Sequence, residues 1–507
     1  MRLSFSLKLS CETRIFRPNS TQTNANATLG LVCIGRVRGI DLTTTILFVA
    51  LAAVGGVLVG GMTFILLFVF IGRRLFRTGV QRIFGLVLNR LLSDEFSENI
   101  MELWSAVKRT SWQNILEISL RAEEGKIIKR PLGSAKKYLG FDGLMFVPAQ
   151  MARLPIEGNV PVNMSVTLGP KAEKPLQLPI PLIISGMGYG VALSEEARKA
   201  LAQAARKVGT AINSGEGPFL PEERQAAGKY IWQIGRSSWG REPQALAVAD
   251  MIEVQMGQGA RIGMHVLEPA AIKGRAQKLM KVSPVETVKS AAVTPGIKSP
   301  WDWPRYVSDL QQEVPGRPIA LKIMSGGRLE ADLAVALEAG FDVIVLDGAQ
   351  GGTDGSSPTI EDDFGLPTLQ ALVRAVHYLK DQGVKNEVSL ITAGGYFTPG
   401  ECLKALALGA DAVYLGTVPL FALVHKQIEK VMPWEPLTRL VDYDSKYKNR
   451  LDINLAAQSV TYVLNAMVLE MQEAIRALGK TSLSEVGPND LVALDAWTAE
   501  VTGVTQA

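Results

Sequence analysis

"FDVIVLDGAQGGTDGSSP", residues 341–358, decides how the rest of the chain is read. A β-branched apolar run ends at Asp347 and passes straight into a loop carrying Gly348, Gly351, Gly352 and Gly355. A short apolar run bounded by turn residues is the pattern of a strand buried on both faces, as in a parallel sheet. The same unit recurs on either side. Upstream lie "PLIISGM" (181–187), "GTAINSG" (209–215), "YIWQIG" (230–235), "MIEVQMG" (251–257) and "PIALKIM" (318–324). Downstream come "VSLITAGG" (388–395) and "DAVYLGT" (411–417). Helical patterns such as "SEEARKALAQAARKVG", "LEADLAVALEAG" and "TPGECLKALALGA" separate most of them. Alternating β and α units imply a parallel sheet, and eight of them predict an α/β fold, a closed (β/α)8 TIM barrel over residues 179–440. An open doubly wound sheet is the alternative. Residues 258–317 interrupt the rhythm with a long insertion rich in Pro, Lys and Trp, expected to be a functional lid or a disordered piece.

Outside the barrel the reading changes. Residues 42–72 contain no charge between Leu42 and Gly72, and about 20 apolar residues suffice to cross a bilayer, so a transmembrane helix is expected. Arg73, Arg74, Arg77 and Arg82 follow it, against Arg36 and Arg38 beside Asp41 before it. That excess predicts a single-pass membrane protein with its catalytic domain facing the cytoplasm. Residues 1–41 read as a variable tail. Residues 73–178 read as a helical and irregular region leading into the barrel, with amphipathic helices near the membrane. Residues 441–507 read as a C-terminal helical extension, with no further β-type run.

A net charge of +4 on 507 residues, with no basic run interleaved with aromatics, argues against a nucleic-acid partner. Cys11, Cys33 and Cys402 form no CxxC or Cys/His cluster, so neither a metal site nor an iron–sulfur cluster is expected. Of the three histidines, His377 and His425 fall in helix-like segments and read as structural.

In a barrel the chemistry stands at the C-terminal ends of the strands. Six of the eight ends here are glycine-rich, which lets backbone approach a flat ligand. "AGGY" (393–396) and "LGTV" (415–418) end the seventh and eighth strands, where barrels commonly bind phosphate, so Gly394, Gly395, Gly416 and Thr417 are candidate phosphate ligands. Lys322 stands between apolar neighbours in "IALKIM", and a buried ammonium needs a partner or a task. It can stabilise the negative charge of a reduced flavin, form a Schiff base, or make a salt bridge inside the barrel. Gln233 and Gln258 can bind a ligand's polar edge or satisfy backbone. Glu216 in "NSGEGP" is a candidate acid or amine anchor, and equally a structural carboxylate. The residues alone thus point to a membrane-tethered barrel enzyme with a phosphate-bearing cofactor, FMN.

The ordered motifs also carry a resemblance. "ISGMGYGVALSEEARKALAQAARKVGTAINSGEG", "WQIGRSSWG", "EVQMGQGARIG", "LKIMSGG", "DGAQGGTDGSSP" and "TAGGYFTPGECLKALALGADAVYLGT" resemble the FMN-binding domain of the glutamate synthases, in its stand-alone form. The likeness covers about residues 130 to 505. It implies FMN contacts from Gly186, Met187, Gln233 and Lys322, with Gly351 and Gly352 beside the ring or ribityl chain. Gly394, Gly395, Gly416 and Thr417 would surround the phosphate.

Departures from the family pattern shape the expected function. Where the family carries its cluster cysteines this chain reads "VPLFALVHKQIEKVMPW", so electrons are expected from a donor the sequence does not name. The resemblance does not extend to a glutaminase domain, so ammonia or an amine is expected from elsewhere. In the substrate segment, Arg261 keeps a positive charge suited to a carboxylate, with Gln258 beside it, and His265 is new. The expected activity is that of an FMN-dependent oxidoreductase of the glutamate synthase type, acting on a small carboxylate imine or amine, such as 2-oxoglutarate plus ammonia. Lys322, Glu216 and His265 are its candidate catalytic residues. The alternative is a membrane-tethered electron-transfer or redox-sensing flavoprotein without that turnover.

Overall fold

All eight apolar runs form parallel strands: β1 (Leu182–Ile184), β2 (Ala211–Asn213), β3 (Lys229–Ile234), β4 (Met251–Gln255), β5 (Ile319–Met324), β6 (Val343–Asp347), β7 (Ser389–Ala393) and β8 (Ala412–Leu415). They close into a barrel in chain order, with Val413 of β8 paired to Leu182 of β1. The computed structural model describes residues 42–95, 99, 101–263, 265–267, 272–283, 288–353 and 355–507. It divides into two compact units, one ending at Ile115 and the other starting at Leu116.

In the first unit one helix runs from Leu42 to Ser93, 52 residues. At 1.5 Å per residue that is roughly 78 Å, well beyond a bilayer core of about 30 Å. The expected span ended at Gly72, yet the helix continues through Arg73 and Arg90, because no proline interrupts the stretch. Among the described residues it is the one helix long and apolar enough to cross a membrane. Its large apolar side chains, Phe48, Phe64 and Phe76 among them, are exposed.

In the second unit, side chains alternate across the strands. Ile183, Ala211, Ile231, Met251, Ala320, Val343, Ile391 and Ala412 pack together inside the barrel. Leu168, Leu176 and Leu178 join that cluster from the antiparallel pair Val166–Leu168 and Leu176–Leu178, which therefore plugs the end opposite the catalytic face. The outward residues, such as Leu182, Ile184, Ile212 and Val413, meet the helices.

Helix boundaries follow local chemistry. Helix Glu195–Val208 starts at Ser194, whose hydroxyl accepts from the Ala197 N–H at 3.2 Å, and stops at Gly209, whose φ of 86° only glycine adopts without strain. It packs against the long helix Ile453–Ala477, which buries Ala456, Val460, Leu464, Met467, Met471 and Ile475 along one stripe.

Two expectations are revised. The insertion 258–317 is built rather than loose among its described residues. It holds a hairpin, His265–Leu267 with Val288–Ser290, and the helix Trp303–Glu313. That helix buries Trp303, Tyr306, Val307 and Leu310 at positions i, i+3, i+4 and i+7, and is the helix that precedes β5. The C-terminal extension is not wholly helical. Leu491–Ala493 forms a strand antiparallel to Leu144–Phe146, and three residues are too few to show a period in sequence.

Candidate active site

Strand parity carries polar side chains into the upper barrel. Residues two apart on a strand share a face, so Asn213, Gln233, Glu253, Lys322 and Tyr414 point inward above the apolar layer formed by Ala211, Ile231, Met251, Ala320 and Ala412. Glu253 is the hub. Its Oε1 accepts from Asn213 Nδ2 at 2.9 Å and Gln233 Nε2 at 2.7 Å, and its Oε2 accepts from the Tyr414 hydroxyl at 2.7 Å. A carboxylate only accepts, so it fixes both amides with nitrogen toward it. Gln233 therefore directs its carbonyl oxygen elsewhere. Burial, followed by the Glu253 charge, pushes the Tyr414 hydroxyl well above its usual range, so it stays protonated as a donor.

Lys322 lies beside this hub, fully buried. Its Nζ is 3.5 Å from Asp347 Oδ2 and 5.7 Å from the Tyr414 ring centroid. Of the three roles open to it in sequence, the internal salt bridge is present. Burial raises the Asp347 carboxyl, and Lys322 only partly opposes that.

The glycines divide by what a side chain would meet. At Gly186 a Cβ would lie 2.8 Å from Asn213 Oδ1 and 3.1 Å from Gln233 Nε2, so the Glu253 network itself requires glycine there. Gly351 would place a Cβ 2.3 Å from Asp347 Oδ1 and 3.0 Å from the Gly259 Cα, and Gly352 would place one 2.6 Å from the Leu132 carbonyl. These two pack against the protein's own backbone, under a segment held by reciprocal bonds between Arg130 and Ser356 and by the Leu132 N–H on Thr353. Gly394 and Gly395 adopt φ of 101° and 78°, a turn open to glycine alone. Gly416 differs: a Cβ there would meet nothing within 4 Å. It begins the helix Thr417–Val424, which has no side-chain cap, so its first N–H groups face the strand ends. Gly394 and Gly395 thus follow β7 next to the uncapped helix start that follows β8, the two strand ends being paired. Met187 accepts from Arg198 Nη1 through its carbonyl at 2.7 Å.

A second buried cluster surrounds Glu216. Its Oε1 accepts from the Ser237 hydroxyl at 2.5 Å and the Ser290 hydroxyl at 3.1 Å. Arg261 Nη2 stands 2.9 Å from Oε2, misaligned for a hydrogen bond, so charge rather than a directed bond holds the pair. Burial pushes the Glu216 carboxyl up, but Arg261, the two serines and Arg236 outweigh it and hold it below its usual range. Glu216 is thus held as a carboxylate that accepts hydrogen bonds from the groups around it. Arg261 and Gln258 bond each other through their backbones across a turn in which Ala260 takes a φ of 62°. Gln258 Oε1 accepts from Gln255 Nε2 at 2.7 Å, and its own amide nitrogen reaches the Gly352 carbonyl at 3.5 Å. Gln255 Oε1 is left buried without a partner.

His265 lies in the hairpin, its backbone in register with Ser290; its side chain falls outside the described residues. His377 is in the helix Thr368–Asp381 and His425 starts a short 3-10 turn, both away from the strand ends. Cys402 is buried in a helix, and burial raises its thiol. Among the described residues no group of His, Cys, Asp and Glu is arranged to hold a metal.

Sequence reasoning missed Glu253, Tyr414 and Arg236. The first two were findable: counting by two from Asn213, Gln233 and Lys322 marks Glu253 and Tyr414 as inward-facing.

A family model described as the conserved region in glutamate synthase matches residues 126–481. A glutamate synthase large subunit-like protein of Rhizobium meliloti (strain 1021) is 34% identical over 413 residues, covering 78% of this chain and 93% of its own. An archaeal glutamate synthase (NADPH) of Archaeoglobus fulgidus is 28% identical over 427 residues, covering 78% and 83%. An archaeal-type glutamate synthase (NADPH) of Dehalococcoides mccartyi is 27% identical over 416 residues, again covering 78% and 83%.

Proposed function

The chain belongs to the glutamate synthase family, and on that premise we propose that it is an FMN-dependent oxidoreductase acting on a small carboxylate that carries an imine or amine. The observation that carries this reading is the cradle of Gly394, Gly395 and the uncapped helix start at Gly416, where open space lies over Gly416. A phosphate fits such amides, and the buried ammonium of Lys322 fits the charge a reduced flavin acquires. Bound FMN supplies hydride chemistry.

The chain's own groups do the rest. Gly394, Gly395, Gly416 and Thr417 would hold the phosphate through backbone N–H groups. The Gln233 carbonyl oxygen, turned away from Glu253, is free to accept from a ring N–H, and Gly186 and Met187 border it. Gly351 and Gly352 contribute by keeping the loop after β6 thin, although each is held by protein contacts. Lys322 supplies positive charge in a water-poor site, and Asp347 tempers it. Arg261 offers a cation for a substrate carboxylate, with Gln258 steadying the turn that presents it. Glu216, kept ionised, can accept an N–H from an amine or iminium group, and His265 is the candidate proton donor.

Electrons would come from outside the barrel, since no cysteine follows β8. Two relatives are named for NADPH, which makes a reduced nicotinamide or a partner that oxidises it the proposed donor. The helix Leu42–Ser93 would tether the protein to a membrane, with the arginines from Arg73 onward on the cytoplasmic side. Purification of the full chain in detergent tests the proposal. A yellow protein whose flavin, once reduced with dithionite, is reoxidised anaerobically by 2-oxo acids with ammonia or methylamine supports it. A colourless protein that cannot be reconstituted with FMN refutes it. FMN uptake without turnover of any such pair would favour an electron-transfer role.

A further inference from the structure

The Glu216 cluster holds more positive charge than it answers. Arg236 follows β3 and is 2% exposed. Its Nη1 donates to the Ala292 carbonyl at 3.0 Å, and the Ala291 N–H donates to the Arg236 carbonyl at 3.1 Å. Its Nε and Nη2, which form the side-on edge of the guanidinium, are buried without a hydrogen-bond partner. Glu216 is the acidic group that acts on Arg236, and Arg261 already stands against that carboxylate. Two guanidiniums and one carboxylate leave one positive charge unanswered among the described residues.

An unpartnered donor edge on a buried cation is costly, and such edges persist where a ligand completes them. The spacing of Nε and Nη2 matches the two oxygens of one carboxylate. We propose that Arg236 docks the carboxylate of the small organic acid, side-on through Nε and Nη2, while Glu216 holds Arg261 beside it. Arg236 is the better dock because, among the described residues, no carboxylate bonds its free edge, whereas Arg261 is already neutralised in part. The cofactor's phosphate is an unsuitable occupant, because β3 lies opposite β7 in the barrel order while the amide cradle sits on β7 and β8. The segment Ser290–Ala292 crosses the cluster through its bonds to Glu216 and Arg236, so the acid must part it to reach the guanidinium. This inference rests on the reading of the site as one for a small carboxylate.

The test is calorimetric titration of the FMN-loaded full chain with 2-oxoglutarate and with pyruvate, for the wild type, Arg236→Gln and Arg236→Lys. At least one acid should bind the wild type. Arg236→Gln should weaken it by about thirtyfold or more, and Arg236→Lys should also weaken it, because an ammonium cannot present two parallel donors. FMN content, read from the absorbance spectrum, should not change in either variant. Arg236→Lys keeps the charge and covers the case in which the glutamine variant does not fold. Wild-type affinity in a folded, FMN-loaded Arg236 variant would overturn the proposal, as would a wild type that binds neither acid. A wild-type chain that takes up no FMN yet binds acid through Arg236 would fail the flavin reading and leave this one standing.

Discussion

Replacing Glu253 with alanine tests the polar layer on which the proposed site rests. The substitution removes one buried carboxylate and with it the acceptor for Asn213 Nδ2, Gln233 Nε2 and the Tyr414 hydroxyl, at 2.7 to 2.9 Å. A buried donor left unpaired costs about 1–3 kcal/mol. Asn213 and Tyr414 already approach each other at 3.2 Å and can satisfy one another in part. Relief from burying the charge offsets some of the remainder. A net loss of about 3–5 kcal/mol follows, which in a domain this large shifts the melting midpoint by roughly 4–6 °C. Glu253→Gln keeps one acceptor oxygen and the shape, so it should lose less than the alanine variant. The assay is thermal unfolding followed by circular dichroism, with FMN content measured in parallel. FMN content should fall in the alanine variant, because Gln233 loses the acceptor that orients its carbonyl. An alanine variant that melts within about 2 °C of wild type and keeps its flavin would refute the hub reading.

Other consequences are as direct. Lys322→Met should lower the reduction potential of the bound flavin, measured by dye equilibration, because the cation nearest the upper barrel is removed; an unchanged potential contradicts the role given to Lys322. Gly352→Ala should destabilise the protein by about 1–3 kcal/mol, since its Cβ would meet the Leu132 carbonyl at 2.6 Å. Gly416→Ala should fold as well as wild type, and Gly416→Asp should bind FMN at least about tenfold more weakly by repelling its phosphate. Glu216 sits below its usual value of 4.5 in the folded chain, so its stabilisation is fully present above that pH and is lost as pH falls through the depressed value. Denaturation titrations should therefore show stability declining on acidification, with a shallower slope in Glu216→Gln.

How much of this was legible in advance varies by element. The barrel was, because fully buried strands such as "VIVLD" and "SLITA" must be apolar throughout and must end where backbone turns, so burial and punctuation coincide in sequence. Lys322 was legible as an anomaly, being a charge inside such a run. Its partner was not: Asp347 ends β6, and only the parallel register of β5 and β6 brings the two side chains together. The strand Leu491–Ala493 was invisible because its partner lies some 350 residues earlier, in a stretch with no pattern of its own.

The glycines of "DGAQGGTDGSSP" show the limit best. Composition alone says that side chains are excluded after β6, and that much is correct. What excludes them is decided by the fold: Asp347, Gly259 and the Leu132 carbonyl occupy the space a Cβ would need at Gly351 and Gly352. Sequence by itself determined the class of fold and the glycine-rich ends of its strands, because those depend on local burial and backbone freedom. Tertiary structure decided which charges meet. Glu216 with Arg261, Lys322 with Asp347 and the open edge of Arg236 all depend on barrel closure, which brings side chains from distant strands within a few ångströms in a medium where every unpaired charge counts.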